Sequence, residues 1–84
     1  MFSEAELQKI NEYSINNMSS LETEQKCGCF YCGRIFESDE IGESIEDDGD
    51  TAVCPFCGID SVIGESSGYE ITAELLKEMH DYWF

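Results

Sequence analysis

Apolar residues recur at helical spacing near both ends of the chain and in short broken runs between them. At the start, Leu7, Ile10, Ile15 and Met18 fall near one face, while Glu4, Lys9 and Glu12 point elsewhere. Ser3 stands as an N-cap, Glu6 completes a capping box three residues on, and Phe2 and Leu7 are placed as a hydrophobic staple. The pattern predicts an N-terminal helix over 4–16. It is ended by Asn16, Asn17, Ser19 and Ser20, whose side chains compete with the helical backbone for hydrogen bonds. At the other end, Thr72 caps an amphipathic helix over 72–84 with Leu75, Leu76, Met79, Tyr82 and Trp83 on one side. The stripe reads first as core that covers an open sheet face, and the Tyr82-Trp83-Phe84 end is open to either core or interface.

Between the helices, residues 27–64 read as short strands and turns. Ser38 is placed to cap a brief helical turn in which Asp39 and Glu40 favour the positive end of the backbone dipole and Ile41 and Ile45 share a face. Asp48-Gly49 signals a turn, Thr51-Ala52-Val53 a strand entering Cys54, and Ile59 to Ile63 the returning strand.

Two C-x-x-C-G motifs carry the chemistry. Cys29-Phe30-Tyr31-Cys32-Gly33 and Cys54-Pro55-Phe56-Cys57-Gly58 share one layout, and 21 residues separate the two C-x-x-C pairs. Such a pair in a tight turn presents two sulfurs about 2.3 Å from one tetrahedral zinc, and two pairs complete its coordination. The trailing glycine suits a turn that needs positive φ, and Pro55 fixes φ where no amide donor is needed. The sequence therefore predicts one structural Zn2+ held by Cys29, Cys32, Cys54 and Cys57. Cys27 breaks the symmetry of the two motifs and is left as a nearby free thiol, with a ligand or redox-spare role as its alternative. His80, the one histidine, is not needed as a ligand. Lys26 and Arg34 flank the first pair, either to offset thiolate charge or as ordinary surface cations.

Size gives this site its weight. A chain of 84 residues has room for a single domain (1–84) whose core is small, and closing a four-cysteine zinc site contributes on the order of 10–16 kcal/mol. Met1-Phe2-Ser3-Glu4 does not read as a secretion signal, and the apolar runs fall short of the roughly 20 residues a membrane helix needs. A cytoplasmic setting is expected, where paired cysteines mean metal or redox chemistry more often than disulfides.

The formal charge is −15, from 19 acidic and 4 basic residues, so the long-range field repels phosphate backbones and anionic lipid. Eight acids and no Lys or Arg fall between Glu37 and Asp50. Glu46, Asp47, Asp48 and Asp50 do not follow calcium-loop spacing, because Gly49 and Thr51 stand where ligands belong. They are the candidate contact for a basic protein surface, and a merely solvated loop is the bland alternative.

The paired knuckles from Cys29 to Gly58 resemble the zinc-ribbon, or rubredoxin-like, group of metal-binding modules. The resemblance covers about a third of the chain and implies a zinc ribbon with short antiparallel strands; with the N- and C-terminal helices that the apolar pattern predicts on either side of it, the expected fold is small α+β. The runs Cys-Gly-Cys-Phe-Tyr-Cys and Cys-Pro-Phe-Cys-Gly-Ile-Asp-Ser-Val, with a helix ending His80-Asp81-Tyr82-Trp83, are also similar to a set of small bacterial proteins called only cytoplasmic protein, from which no activity carries over. Rubredoxins carry iron, but this chain departs from them in its flanking helices and its longer acidic inter-knuckle segment.

Three functions follow. The leading expectation is a non-enzymatic, acidic protein-interaction module, an inhibitor or adaptor for a basic partner. Direct nucleic-acid binding is the second, opposed by four scattered cations in a negative field. The third is a thiol redox protein or iron electron carrier. Cys54-Pro55-Phe56-Cys57 looks like a glutaredoxin dithiol, yet strand-like residues follow it where a helix N-terminus would have to activate the thiolate.

Overall fold

The computed structural model describes residues 2–46 and 49–84. Ser3 Oγ accepts from Glu6 N, and the Glu6 carboxylate accepts from Ser3 N at 3.1 Å, so the capping box opens α1 (Glu4–Glu12) as the sequence predicts. The helix stops at Glu12 rather than 16. Tyr13 is its cap, and Asn16 takes a left-handed φ of 52°. Tertiary hydrogen bonds claim the segment beyond: Asn16 N donates to Thr51 Oγ1 at 2.8 Å and Met18 N to Asp50 O at 3.0 Å. Leu7 and Ile10 are buried as predicted, but Ile15 leaves the apolar face and is 56% exposed.

Five short antiparallel strands follow. In the three-stranded sheet, β1 (Lys26–Cys29) lies between β2 (Ile35–Glu37) and β5 (Val62–Gly64), with Cys27 opposite Phe36 on one side and Gly64 on the other. The second sheet is a hairpin of β3 (Ser44–Glu46) and β4 (Asp50–Ala52), with Glu46 opposite Asp50. The strand expected over 51–53 thus begins and ends one residue earlier. The returning strand is confined to Val62–Gly64, because Ile59 is drawn into the second cysteine turn. A 3-10 turn spans Ser38–Glu40, but Ser38 lies buried inside it rather than capping it. Its hydroxyl accepts from Gln25 N and donates to Thr23 O. Ile41 packs inward and Ile45 sits exposed on β3, so they do not share a helical face.

Side chains alternate across the three-stranded sheet and divide the interior in two. Ile63 and Phe30 join Leu7, Ile10, Ile71, Leu75, Leu76 and Met79 beneath the helices. Cys27, Cys29, Phe36 and Val62 point the other way and pack with Leu21, Ala52 and Cys54. α2 (Ala73–Trp83) starts at Thr72, whose Oγ1 accepts from Leu75 N, and lies directly over Gly28. A Cβ at Gly28 would fall 2.8 Å from Leu76 and 2.9 Å from Ile71. Gly28→Val is therefore expected to cost about 1–3 kcal/mol in chemical denaturation, whereas Gly42→Ala, which has open space around it, should change little.

Asn17 ties these layers together. It is 3% exposed, donates Nδ2 to Val62 O at 2.8 Å and to Tyr13 O at 3.0 Å, and accepts from Ala52 N at 2.9 Å. One side chain thus joins the end of α1, β4 and β5. The C-terminal aromatics fold back over the molecule. Tyr82 Oη accepts from Gln8 and the Trp83 indole N–H reaches Leu7 O, but Trp83 and Phe84 keep 39% and 60% of their surface in water. Among the described residues no helix is long and apolar enough to cross a membrane.

Candidate metal centre

The two C-x-x-C-G segments fold into the same backbone bracket. In the first, Gly33 N donates to Cys29 O at 2.8 Å and Cys29 N to Arg34 O at 3.0 Å. In the second, Gly58 N donates to Cys54 O and Cys54 N to Ile59 O, each at 3.0 Å. Gly33 and Gly58 close the brackets at φ of 81° and 78°, a conformation that costs a residue with a Cβ and costs glycine little. The first bracket joins β1 to β2 within one sheet, and the second carries the chain from β4 of the hairpin into β5. The site is therefore shared by both sheets.

Facing brackets bring all four sulfurs within 4.8 Å of one another. Cys29 Sγ lies 3.6 Å from Cys57 Sγ and Cys32 Sγ 3.7 Å from Cys54 Sγ. A tetrahedral ion with metal–sulfur bonds of about 2.3 Å requires sulfurs roughly 3.8 Å apart, so the donor set fits a four-coordinate metal with small adjustments. Cys29 and Cys54 are buried, Cys57 is half-buried and Cys32 is exposed, which sets the cluster at the molecular surface. As a free thiol, Cys29 is driven well above the ordinary range, first by burial, against which the backbone N–H groups of Cys32 and Tyr31 act. Burial also raises Cys57. At Cys54 burial is again the largest influence and upward, but the N–H groups of Cys57 and Phe56 and the neighbouring thiols together bring it below the usual value. A dication in the centre removes this conflict by stabilising all four thiolates at once.

Residues around the sulfurs join the brackets to the rest of the fold. The Arg34 guanidinium lies 4.8 Å from the centroid of the Phe56 ring, and Phe36 meets the same ring edge-on at 5.8 Å, so a residue of the first bracket holds the tip of the second. His80 is outside the donor set. Its Nδ1 is 3.2 Å from Phe30 O and its ring stacks on Phe84, which itself meets Tyr31 edge-on. The sequence offered no signal for this role, since it rests on contacts across 50 residues. Cys27 also lies outside the four-sulfur group. It is fully buried, with its Sγ 3.9 Å from Gln25 O. Burial, then Glu37 and Glu65, push its pKa up to about 12, so it stays a neutral thiol.

The acidic candidates are brought together only in part. Glu46 and Asp50 face each other across the β3–β4 hairpin, both exposed. Asp47 and Asp48 lie outside the described residues. No family model matches the chain, and no curated protein or solved structure matches it.

Proposed function

We propose that this protein is a non-enzymatic zinc ribbon that binds one structural Zn2+ through Cys29, Cys32, Cys54 and Cys57 and docks its acidic inter-knuckle hairpin onto a protein with a basic surface. The convergence of four cysteine sulfurs within 4.8 Å carries the metal half of this reading. Four protein thiolates leave a metal no open position for water or substrate, which argues for a structural rather than catalytic ion. Zinc is favoured over iron because the chain lacks the rubredoxin pattern outside the knuckles. A colourless protein with one equivalent of zinc is the expected preparation, and a red, visibly absorbing one would transfer the site to iron.

The partner half rests on the hairpin. Like charges placed directly opposite across two strands destabilise the pair, and Glu46 and Asp50 are so placed in a segment of eight acids without a cation. A cationic surface relieves that repulsion and gains long-range attraction in doing so. An inhibitor or adaptor that occupies the phosphate-binding groove of a basic enzyme would use this arrangement directly. Neutralising Glu46, Asp47, Asp48 and Asp50 to their amides is expected to abolish capture of the partner while raising folding stability slightly, by about 0.5–1 kcal/mol. Equal capture by the variant would reduce the hairpin to a solvated loop. Tight binding of DNA or RNA in a low-salt mobility shift would instead favour a nucleic-acid ribbon.

A further inference from the structure

A second acidic feature differs from the hairpin in having an apolar floor. Met18, Leu21 and Ile41 line the base of a cleft of about 280 Å³, and Glu22, Glu24 and Asp39 line the same cleft. Leu21 is buried, Met18 and Ile41 are half-buried, and the three acids are exposed. The floor is continuous with the core behind the metal centre, since Met18 and Ile41 pack on the cluster that contains Cys29 and Cys54. Among the described residues, none of the three carboxylates forms an ion pair or accepts a hydrogen bond; the ion pair observed is Lys77 with Asp81 on α2. The volume falls below the roughly 300–1,000 Å³ of small-molecule pockets but accommodates one long side chain.

We infer that this cleft is an anchor site for an arginine side chain of the basic partner, with its methylene stem on Met18, Leu21 and Ile41 and its guanidinium among Glu22, Glu24 and Asp39. The inference rests on the basic-partner reading and gives it a second point of contact. The complementarity is twofold. An aliphatic stem gains from apolar contact while its charged head stays at the rim, and a guanidinium is more weakly hydrated than an ammonium and presents several donors in one plane. Carboxylates without internal cations are free to receive them.

The test is an NMR titration of the metal-loaded, isotope-labelled chain with N-acetyl-arginine amide. Saturable amide shifts are expected at Leu21, Glu22, Ser38 and Ile41, whereas N-acetyl-citrulline amide, of similar shape without the charge, should give none there. Glu22→Gln, Glu24→Gln and Asp39→Asn together should weaken binding about tenfold, and Ile41→Ser severalfold. The triple variant removes no internal hydrogen bond, so its unchanged melting temperature separates lost binding from lost fold. The amide variant of the hairpin should bind the probe as the parent does. Equal binding of citrulline, or saturable shifts confined to the hairpin, would overturn the inference. If partner capture still requires the hairpin while the cleft ignores arginine, the cleft alone falls. If capture is indifferent to both sets of variants, the basic-partner reading falls with it.

Discussion

Stripping the metal with a chelator is expected to unfold the chain cooperatively rather than loosen one end of it. The interior on one side of the three-stranded sheet is built partly from the ligands themselves, since Cys29 and Cys54 pack with Leu21, Phe36, Ala52 and Val62. The second bracket is also where the chain passes from one sheet to the other. A closed tetrathiolate contributes on the order of 10–16 kcal/mol, as much as the whole net stability of a typical domain at roughly 5–15 kcal/mol. Removing the ion should collapse amide dispersion in NMR and abolish the thermal transition, and Cys29→Ser and Cys54→Ser should give the same result. Cys27→Ala should retain one equivalent of metal and a cooperative melt. A chelated chain that keeps dispersed spectra, or one in which these sulfurs are joined by an S–S bond, would refute a structural metal.

The next largest effect is expected at Asn17. In Asn17→Leu the branched heavy-atom skeleton is kept, but three hydrogen bonds disappear and the buried Ala52 N–H loses the acceptor it has in Asn17 Oδ1. The unsatisfied buried Ala52 N–H costs about 1–3 kcal/mol, and the two other lost bonds about 1 kcal/mol each, so a total loss of about 3–5 kcal/mol is expected in urea unfolding of the metal-loaded protein. Metal stoichiometry should stay at one, because Asn17 touches neither bracket. A loss below about 1 kcal/mol would mean that water replaces the side chain and that the two sheets are not held together here.

What was legible in the sequence was whatever depends on residues close together along the chain. Ser3 and Glu6 specify their capping box within four residues, Thr72 caps α2 within the next turn, and each cysteine bracket is complete in six. The end of α1 was not legible, because Ile15 and Met18 continue the helical spacing while the backbone at Asn16 and Met18 bonds to Thr51 and Asp50, more than 30 residues away in sequence. Strand limits were blurred for a related reason: segments of three residues are too short to show an alternation. The composition of Asn17 signalled only a helix stop. That its amide would be buried between two strands follows from the packing of β4 and β5, which pattern alone does not contain.

The metal site itself was readable because its four ligands come as two copies of one local turn. Their burial was not readable: the outward Cys32 and the enclosed Cys29 occupy opposite ends of the same motif, and the difference arises from which layer each side of the turn meets. The acidic segment was visible as composition, but the opposition of Glu46 and Asp50 required the hairpin register.

Each of the matched cysteine turns is closed by main-chain donors and a glycine, so the residues between its cysteines serve the sulfurs through their backbone and leave their side chains to other duties. Phe30 fills the interior beneath the helices, Tyr31 leans on the C-terminal aromatic ring, and Phe56 receives the guanidinium of Arg34. Evolutionary drift or design at the outward Tyr31 and Phe56 would thus reshape the neighbourhood of the ion while leaving its grip intact, making these two positions, unlike the buried Phe30, the natural places to diversify the surface of this scaffold.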